Sequence, residues 1–326
     1  MIMMSLQDYM DIQPKVIKML LNSYQKNRLA HAYLFEGEKG TKKKEIALEF
    51  AKLLYCENQG DVCDHCLNCQ RIMHQNHPNV LLIEPDENTL RKEQVLFLQQ
   101  EYSKTNLEPG PKVYIINEIE KMSTQAANSI LKLIEEPMPD TYTILITDNI
   151  HQILPTIISR CQVINFQPIP KTDIINYLRK HEVKPLVASI CAHLTNDIDV
   201  ALNIAREEKL NDIIKFVQEL GKSYLTKDKN LLLILENNKI DLYKDKKVVE
   251  YFLDIFLMYI QDLEKLKIGN QDIIFKNDLA LMLQQIHNIS TENLIHNLKA
   301  ILQAKISLNY NANLMLLIDN LFLNLK

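Results

Sequence analysis

Tyr33–Leu48 reads Y-L-F-E-G-E-K-G-T-K-K-K-E-I-A-L, and the fold turns on how this stretch is understood. The apolar run Tyr33–Phe35 predicts a strand, and Gly37 and Gly40 follow it. Beyond them Ile46, Ala47, Phe50, Ala51 and Leu54 recur at helical spacing over Glu45–Tyr55. Strand, glycine turn and helix start make the layout of a phosphate-binding loop, whose backbone N–H groups surround an anion. The full pattern is G-x-x-x-x-G-K-[ST]. Gly37 and Lys43 match it, but Lys42 stands in place of the second glycine and Lys44 in place of the magnesium-binding hydroxyl. A side chain at 42 obstructs the close approach that glycine permits. Lys44 offers a metal no oxygen and adds a cation at the positive end of a helix dipole. The stretch predicts a nucleotide-binding scaffold that has lost its nucleotide chemistry.

Working outward, residues 12–28 carry helical apolar spacing and lead through Arg28-Leu-Ala-His31 into the first strand, with His31 expected to pack at the strand mouth. After the loop helix comes Cys56-x6-Cys63-x2-Cys66-x2-Cys69. Three cysteines spaced by two residues let one knuckle present several thiolates, and Cys56 completes a tetrahedral set for a structural Zn²⁺. Disulfides are the rival in an oxidising compartment. A redox C-x-x-C is the other rival, but it uses only two of the four. Further strands are expected at Val80–Ile83, Val113–Ile116, Thr143–Thr147 and Val163–Phe166, with helices at Gln94–Tyr102 and Thr124–Glu136, the latter capped by Ser123. Strands alternating with helices predict an α/β domain with a mostly parallel sheet. Past Pro168 and Pro170 the strand signal fades. Three short helices are expected at Lys171–Lys180, Lys184–His193 and Asp197–Glu208. Helical periodicity continues to Lys326, with Leu231–Leu235 read as a buried helix segment rather than a strand. The expected division is 1–167, 168–208 and 209–326.

Composition sets the class. The chain has 326 residues, 47% of them hydrophobic and 24% charged, with a formal charge of −4. Such a chain builds sizeable cores. A stand-alone DNA binder usually carries a basic surplus, so any DNA contact here is expected to be shared with partners. The start of the chain lacks a basic flank and an apolar run of signal-peptide length, and no stretch approaches the ~18 apolar residues of a membrane span. A cytoplasmic protein is expected.

An active loop of this type needs an acid at the end of a neighbouring strand to hold Mg²⁺. Val113–Glu118 occupies that place, but Asn117 stands at the first acid position and only Glu118 remains. Thr147, at the end of the fourth strand, stands where a polar sensor of a γ-phosphate would be useful; strand-end capping is the simpler reading. Ser159-Arg160-Cys161 follows a short helix at the edge of the domain. Arg160 is either a surface cation or a group reaching a phosphate on a neighbouring molecule.

R-L-A-H-A-Y-L-F-E-G (28–37), the four-cysteine knuckle, K-V-Y-I-I-N-E (112–118), N-S-I-L-K-L-I-E-E-P (128–137) and I-L-P-T-I-I-S-R-C-Q (153–162) occur in that order. Together they resemble the clamp-loader branch of the AAA+ proteins, most clearly over residues 10–205. The resemblance implies an AAA+ P-loop-type domain with a zinc knuckle over 1–167, a three-helix lid and an all-α collar that holds an oligomeric ring. It implies gamma/tau and delta subunits as partners, and a role in placing a sliding clamp on primed DNA during replication. It assigns Ser159, Arg160 and Cys161 to the partner contact, with Arg160 acting in trans on ATP bound next door. It also exposes losses: Gly37, Gly40, Lys43, Asn117, Glu118 and Thr147 become vestiges of an ATP site, and Asn196–Val200 contains no lid arginine. A subunit that does not hydrolyse ATP is expected. The alternative is an active gamma/tau-type ATPase with an unorthodox loop.

Overall fold

The computed structural model describes residues 6–58, 60–86, 89–103, 108–226, 244–310 and 313–325. They divide into two compact units, Met1–Pro170 and Lys171–Lys326. The segment Leu231–Leu235 lies outside the described residues.

In the first unit, β1 (Ala32–Glu36), β2 (Val80–Ile83), β3 (Lys112–Ile116), β4 (Thr141–Thr147) and β5 (Gln162–Asn165) form one sheet in the order β2-β3-β4-β1-β5. Every neighbouring pair is parallel, with Leu34 in register between Leu145 and Val163. All of β3 is buried, which is why it reads as an unbroken run rather than an alternation. Leu34, Ile116 and Leu145 share a core with Leu98 of α5 (Lys92–Ser103), Ile130 and Ile134 of α6 (Thr124–Glu135), and Ile157 of α7 (Pro155–Ile158). The loop helix α3 (Lys43–Tyr55) packs on β3 and β4. Ser123 caps α6 by accepting a hydrogen bond from the Ala126 amide at 3.2 Å. This is a five-stranded, all-parallel α/β sheet with helices packed on it, as the alternation of strands and helices predicts.

Two local expectations need correction, and one element was not expected. The helix expected over 12–28 is shorter, α2 (Pro14–Gln25), and a separate helix, α1 (Leu6–Ile12), precedes it. Pro14 has no N–H and pushes Gln13 out of the helical region, to φ −128°. Gln13 gains by it: its buried side chain donates to the Gln167 carbonyl at 2.7 Å and accepts from the Gln167 amide at 3.3 Å. His31 is exposed rather than packed, and only its carbonyl is engaged, by the Thr143 amide at 2.8 Å. The cysteine knuckle contains a helix, α4 (Leu67–Met73), that spacing alone did not reveal.

The second unit is all-helical among its described residues. Helices α8 (Lys171–Lys180), α9 (Pro185–Leu194) and α10 (Ile198–Ala205) pack on one another through Ile174, Leu178, Ala188, Ile190, Ile198 and Ala201. They are followed by α11 (Glu208–Thr226), α12 (Lys246–Lys267), α13 (Leu279–Gln285), α14 (Thr291–Asn309) and α15 (Leu314–Asn324). Helix α12 packs on α11 and α14, with the Phe252 ring against Phe216 at 5.5 Å and Phe256 at 5.7 Å. Gly221 admits that packing, since a Cβ there would lie 2.1 Å from the Tyr259 ring. No described helix is long and apolar enough to cross a membrane.

Candidate functional site

The glycine loop follows β1 at the carboxyl end of the parallel strands, where sheets of this kind hold ligands. Gly37 lies so close to β5 that a Cβ would meet the Phe166 carbonyl oxygen at 2.5 Å. Gly40 has φ +88°. Lys42 is the N-cap of α3 and is itself left-handed, at φ +67° and ψ +29°. The chain therefore keeps the backbone conformation a glycine would take, against a cost of roughly 1–2 kcal/mol for an L-residue.

What fills the loop is the chain's own charge. The Lys43 ammonium, 5% exposed, donates to the carbonyls of Gly37 at 2.6 Å and Glu38 at 2.7 Å, and pairs with Asp148 at 2.9 Å. Lys44 pairs with Glu84 at 3.1 Å. Asn117, at the end of β3, donates its side-chain amide to the same Glu84 oxygen at 3.3 Å. Lys44 and Asn117 are thus joined through one carboxylate, in the region where the loop pattern would place a metal. Glu118 is left-handed at φ +51° and pairs with Lys121. Thr147 is fully buried, and its hydroxyl accepts the Asn149 amide at 3.1 Å.

The far end of α3 opens the cysteine module. Cys56 is the C-cap of α3 and Cys66 the N-cap of α4. The sulfurs of Cys56, Cys63, Cys66 and Cys69 all lie within 4.8 Å of one another, and all four thiols are free of disulfides. Amides aim at these sulfurs in sequence: Cys63 N–H to Cys56 at 3.4 Å, Cys66 N–H to Cys63 at 3.3 Å and Cys69 N–H to Cys66 at 3.5 Å. Burial opposes ionisation of Cys66, but amides of Glu57 and Cys69 outweigh it and bring its pKa down to about 7. Four sulfurs with N–H donors behind them suit a metal that binds four thiolates. No other such group of histidine, cysteine or carboxylate ligands occurs among the described residues, so His65, His74 and His77 stand outside it.

A buried charge cluster ties the module back to α3. Lys52 pairs with Glu49 at 2.6 Å and with Asp64 of the cysteine loop at 2.7 Å. Burial works against its charge, but those two partners hold its pKa above the ordinary lysine value.

Arg160 stands on the surface just past α7, 39% exposed. One guanidinium nitrogen donates to the Thr156 carbonyl at 3.0 Å and the Ser159 hydroxyl at 3.4 Å. The other pairs with Glu135, in the last turn of α6, at 2.8 Å. Beside it, burial pushes the Cys161 thiol up to about 12.

With this geometry in view, the likenesses to known proteins are informative. The family profile described as "DNA polymerase III, delta subunit" matches residues 12–170. The delta′ subunit of DNA polymerase III from Bacillus subtilis is 37% identical over 318 residues, covering 97% of each chain. This chain belongs to the delta′ family of DNA polymerase III subunits. The tau subunit of B. subtilis is 34% identical over 173 residues, which is 52% of this chain and 30% of that one. Among solved structures, a gamma-subunit-related protein of Thermotoga maritima covers 89% of this chain and 98% of its own, at 19% identity and a TM-score of 0.45. The resemblance read from motifs in the first half of the chain thus extends across nearly all of it.

Glu135 and Glu136 oppose the dipole at the end of α6, so the sequence offers either solvated surface charges or a basic partner there, and Glu135 meets Arg160. Glu84, Asp148 and Gln13, whose side chain donates to the Thr41 carbonyl at 3.4 Å, were not singled out for the site by sequence, yet each engages it. Two of them carried a usable signal: Glu84 directly follows β2 and Asp148 directly follows β4, at the ligand-bearing ends of the strands.

Proposed function

We propose that this chain is a non-hydrolysing clamp-loader subunit that acts on a neighbour. It would assemble with gamma/tau and delta subunits, help place a sliding clamp on primed DNA, and supply Arg160 to ATP held by the adjacent subunit. Residues 168–208 would serve as the lid and 209–326 as the collar, in the cytoplasm. The observation that carries the reading is the contrast in how the cations are used. Lys43, 5% exposed, is turned inward onto Asp148 and two loop carbonyls, while Arg160, 39% exposed and paired with Glu135, stands at the surface. One oxygen of Glu84 links the Lys44 ammonium to the Asn117 amide, so a cation and an amide stand where the loop pattern would set oxygen ligands for Mg²⁺.

Zinc is the metal we assign to the four cysteines. Four thiolates close its coordination, so the ion would hold the knuckle and carry out no reaction. Arg160 would stabilise charge on the phosphoryl group during transfer, as arginine fingers do. Its planar fork suits two phosphate oxygens, which lysine cannot match. The test is Arg160→Ala in the reconstituted complex. Assembly should persist while DNA-stimulated ATP hydrolysis and clamp loading fall about tenfold, less than in single-site switch proteins because only one ATP site is touched. A variant complex that assembles and loads clamps at the wild-type rate would remove Arg160 from the mechanism.

A further inference from the structure

The carboxylate of Glu135 stands 2.8 Å from one terminal nitrogen of Arg160. Nothing in local stability calls for an acid there. Glu135 is in the last turn of α6 and Glu136 is its C-cap, where the helix dipole disfavours negative charge. The pair is also exposed, at 39% and 44%, and ion pairs so exposed contribute little to stability. What the pair does fix is direction. Thr156 and Ser159 hold one arm of the guanidinium from below, and Glu135 holds the other from α6. Three anchors, from α6 and from α7 with its C-cap, favour one orientation of an otherwise flexible side chain at the surface.

We infer that Glu135 is a positioning residue for Arg160, setting its guanidinium in place before the neighbouring nucleotide arrives. This inference rests on the proposed action of Arg160 in trans and adds a residue to it. Preset orientation lowers the ordering cost when the phosphate is engaged. The exposed pairing is also weak enough to yield one nitrogen to a phosphate oxygen without a large penalty.

The experiment is a double-mutant cycle in the reconstituted complex, using Glu135→Ala, Glu135→Gln, Arg160→Ala and the double alanine variant. DNA-stimulated ATP hydrolysis is resolved into kcat and KM, and the Tm of each purified chain is recorded. Glu135→Ala should lower kcat about three- to fivefold with KM little changed, because the lost contact orients a group in the transition state. Glu135→Gln keeps an acceptor for the same N–H and should recover at least half of that loss. The double variant should be no slower than Arg160→Ala alone, since Glu135 acts only through Arg160. Additive losses, an unchanged kcat in Glu135→Ala, or a faster one would each overturn the inference while Arg160→Ala remained defective. If Arg160→Ala itself is silent, the failure belongs to the underlying reading of Arg160.

Discussion

The two ends of α3 carry two clusters of chemically distinctive residues, and they are built differently. At its start, Lys42, Lys43 and Lys44 hold a phosphate-loop backbone whose ligand contacts have been turned inward. At its end, Cys56 opens a set of four cysteines with their sulfurs together and amides directed at them. One end keeps the backbone shape of a phosphate loop but departs from its pattern at the ligand positions; the other brings four potential metal ligands together. Shape survives in the loop because the sheet demands it. Gly37 must clear Phe166, and α3 must start where it can pack on β3 and β4. A catalytic contact has no such structural tenant, so it can be lost while the fold stands. The cysteines differ because a metal held by four of them would itself contribute to folding.

The comparison breaks most visibly at the cysteines. Cys69 is fully buried, and Cys69→Ser should abolish stoichiometric zinc and cost on the order of several kcal/mol, read as a large drop in Tm and protease cleavage within 56–79. Less than half an equivalent of zinc in fresh, unchelated wild-type protein would show that the module does not depend on this ion.

The cluster that joins the two ends should come next. Lys52→Met leaves Glu49, 5% exposed, without its cation, at a cost of about 3 kcal/mol in urea unfolding. The sign with pH follows from the raised pKa of Lys52 in the fold. Its contribution is fully present below the ordinary value of 10.5 and is lost as pH rises through the higher folded value. The gap between wild type and Lys52→Met should therefore narrow only in strong alkali. A constant gap from neutrality to that range would mean that the ammonium charge is not what stabilises the cluster.

The smallest effect is expected at the loop itself. Lys43→Met should leave ATP hydrolysis and clamp loading by the complex within about twofold of wild type, although the same change disables an active phosphate loop. Asp148, 35% exposed, can be solvated once its partner is gone, so stability should fall by only about 1 kcal/mol. Turnover that vanished in Lys43→Met would restore this loop to the status of an ATP site.

Much of this was legible in the residues. Local chemistry decided it: β-branched runs choose strands, a glycine pair after a strand turns into a helix, and cysteines two residues apart share one knuckle. The broken loop and the displayed arginine are likewise matters of which residue stands at which position. What a sequence does not carry is the pairing of side chains distant along the chain. Glu84 reaches Lys44 and Asn117 only because α3 lies on the sheet, and Asp148 reaches Lys43 only because β4 lies beside β1. Glu135 meets Arg160 across the ends of α6 and α7, and Gln13 reaches Gln167 across most of the first unit. Composition and periodicity are read along one dimension, and a hydrogen bond depends on distance in three. The sequence by itself therefore determined where the loop departs from the phosphate-binding pattern, and the tertiary structure alone decided which distant residues those side chains meet.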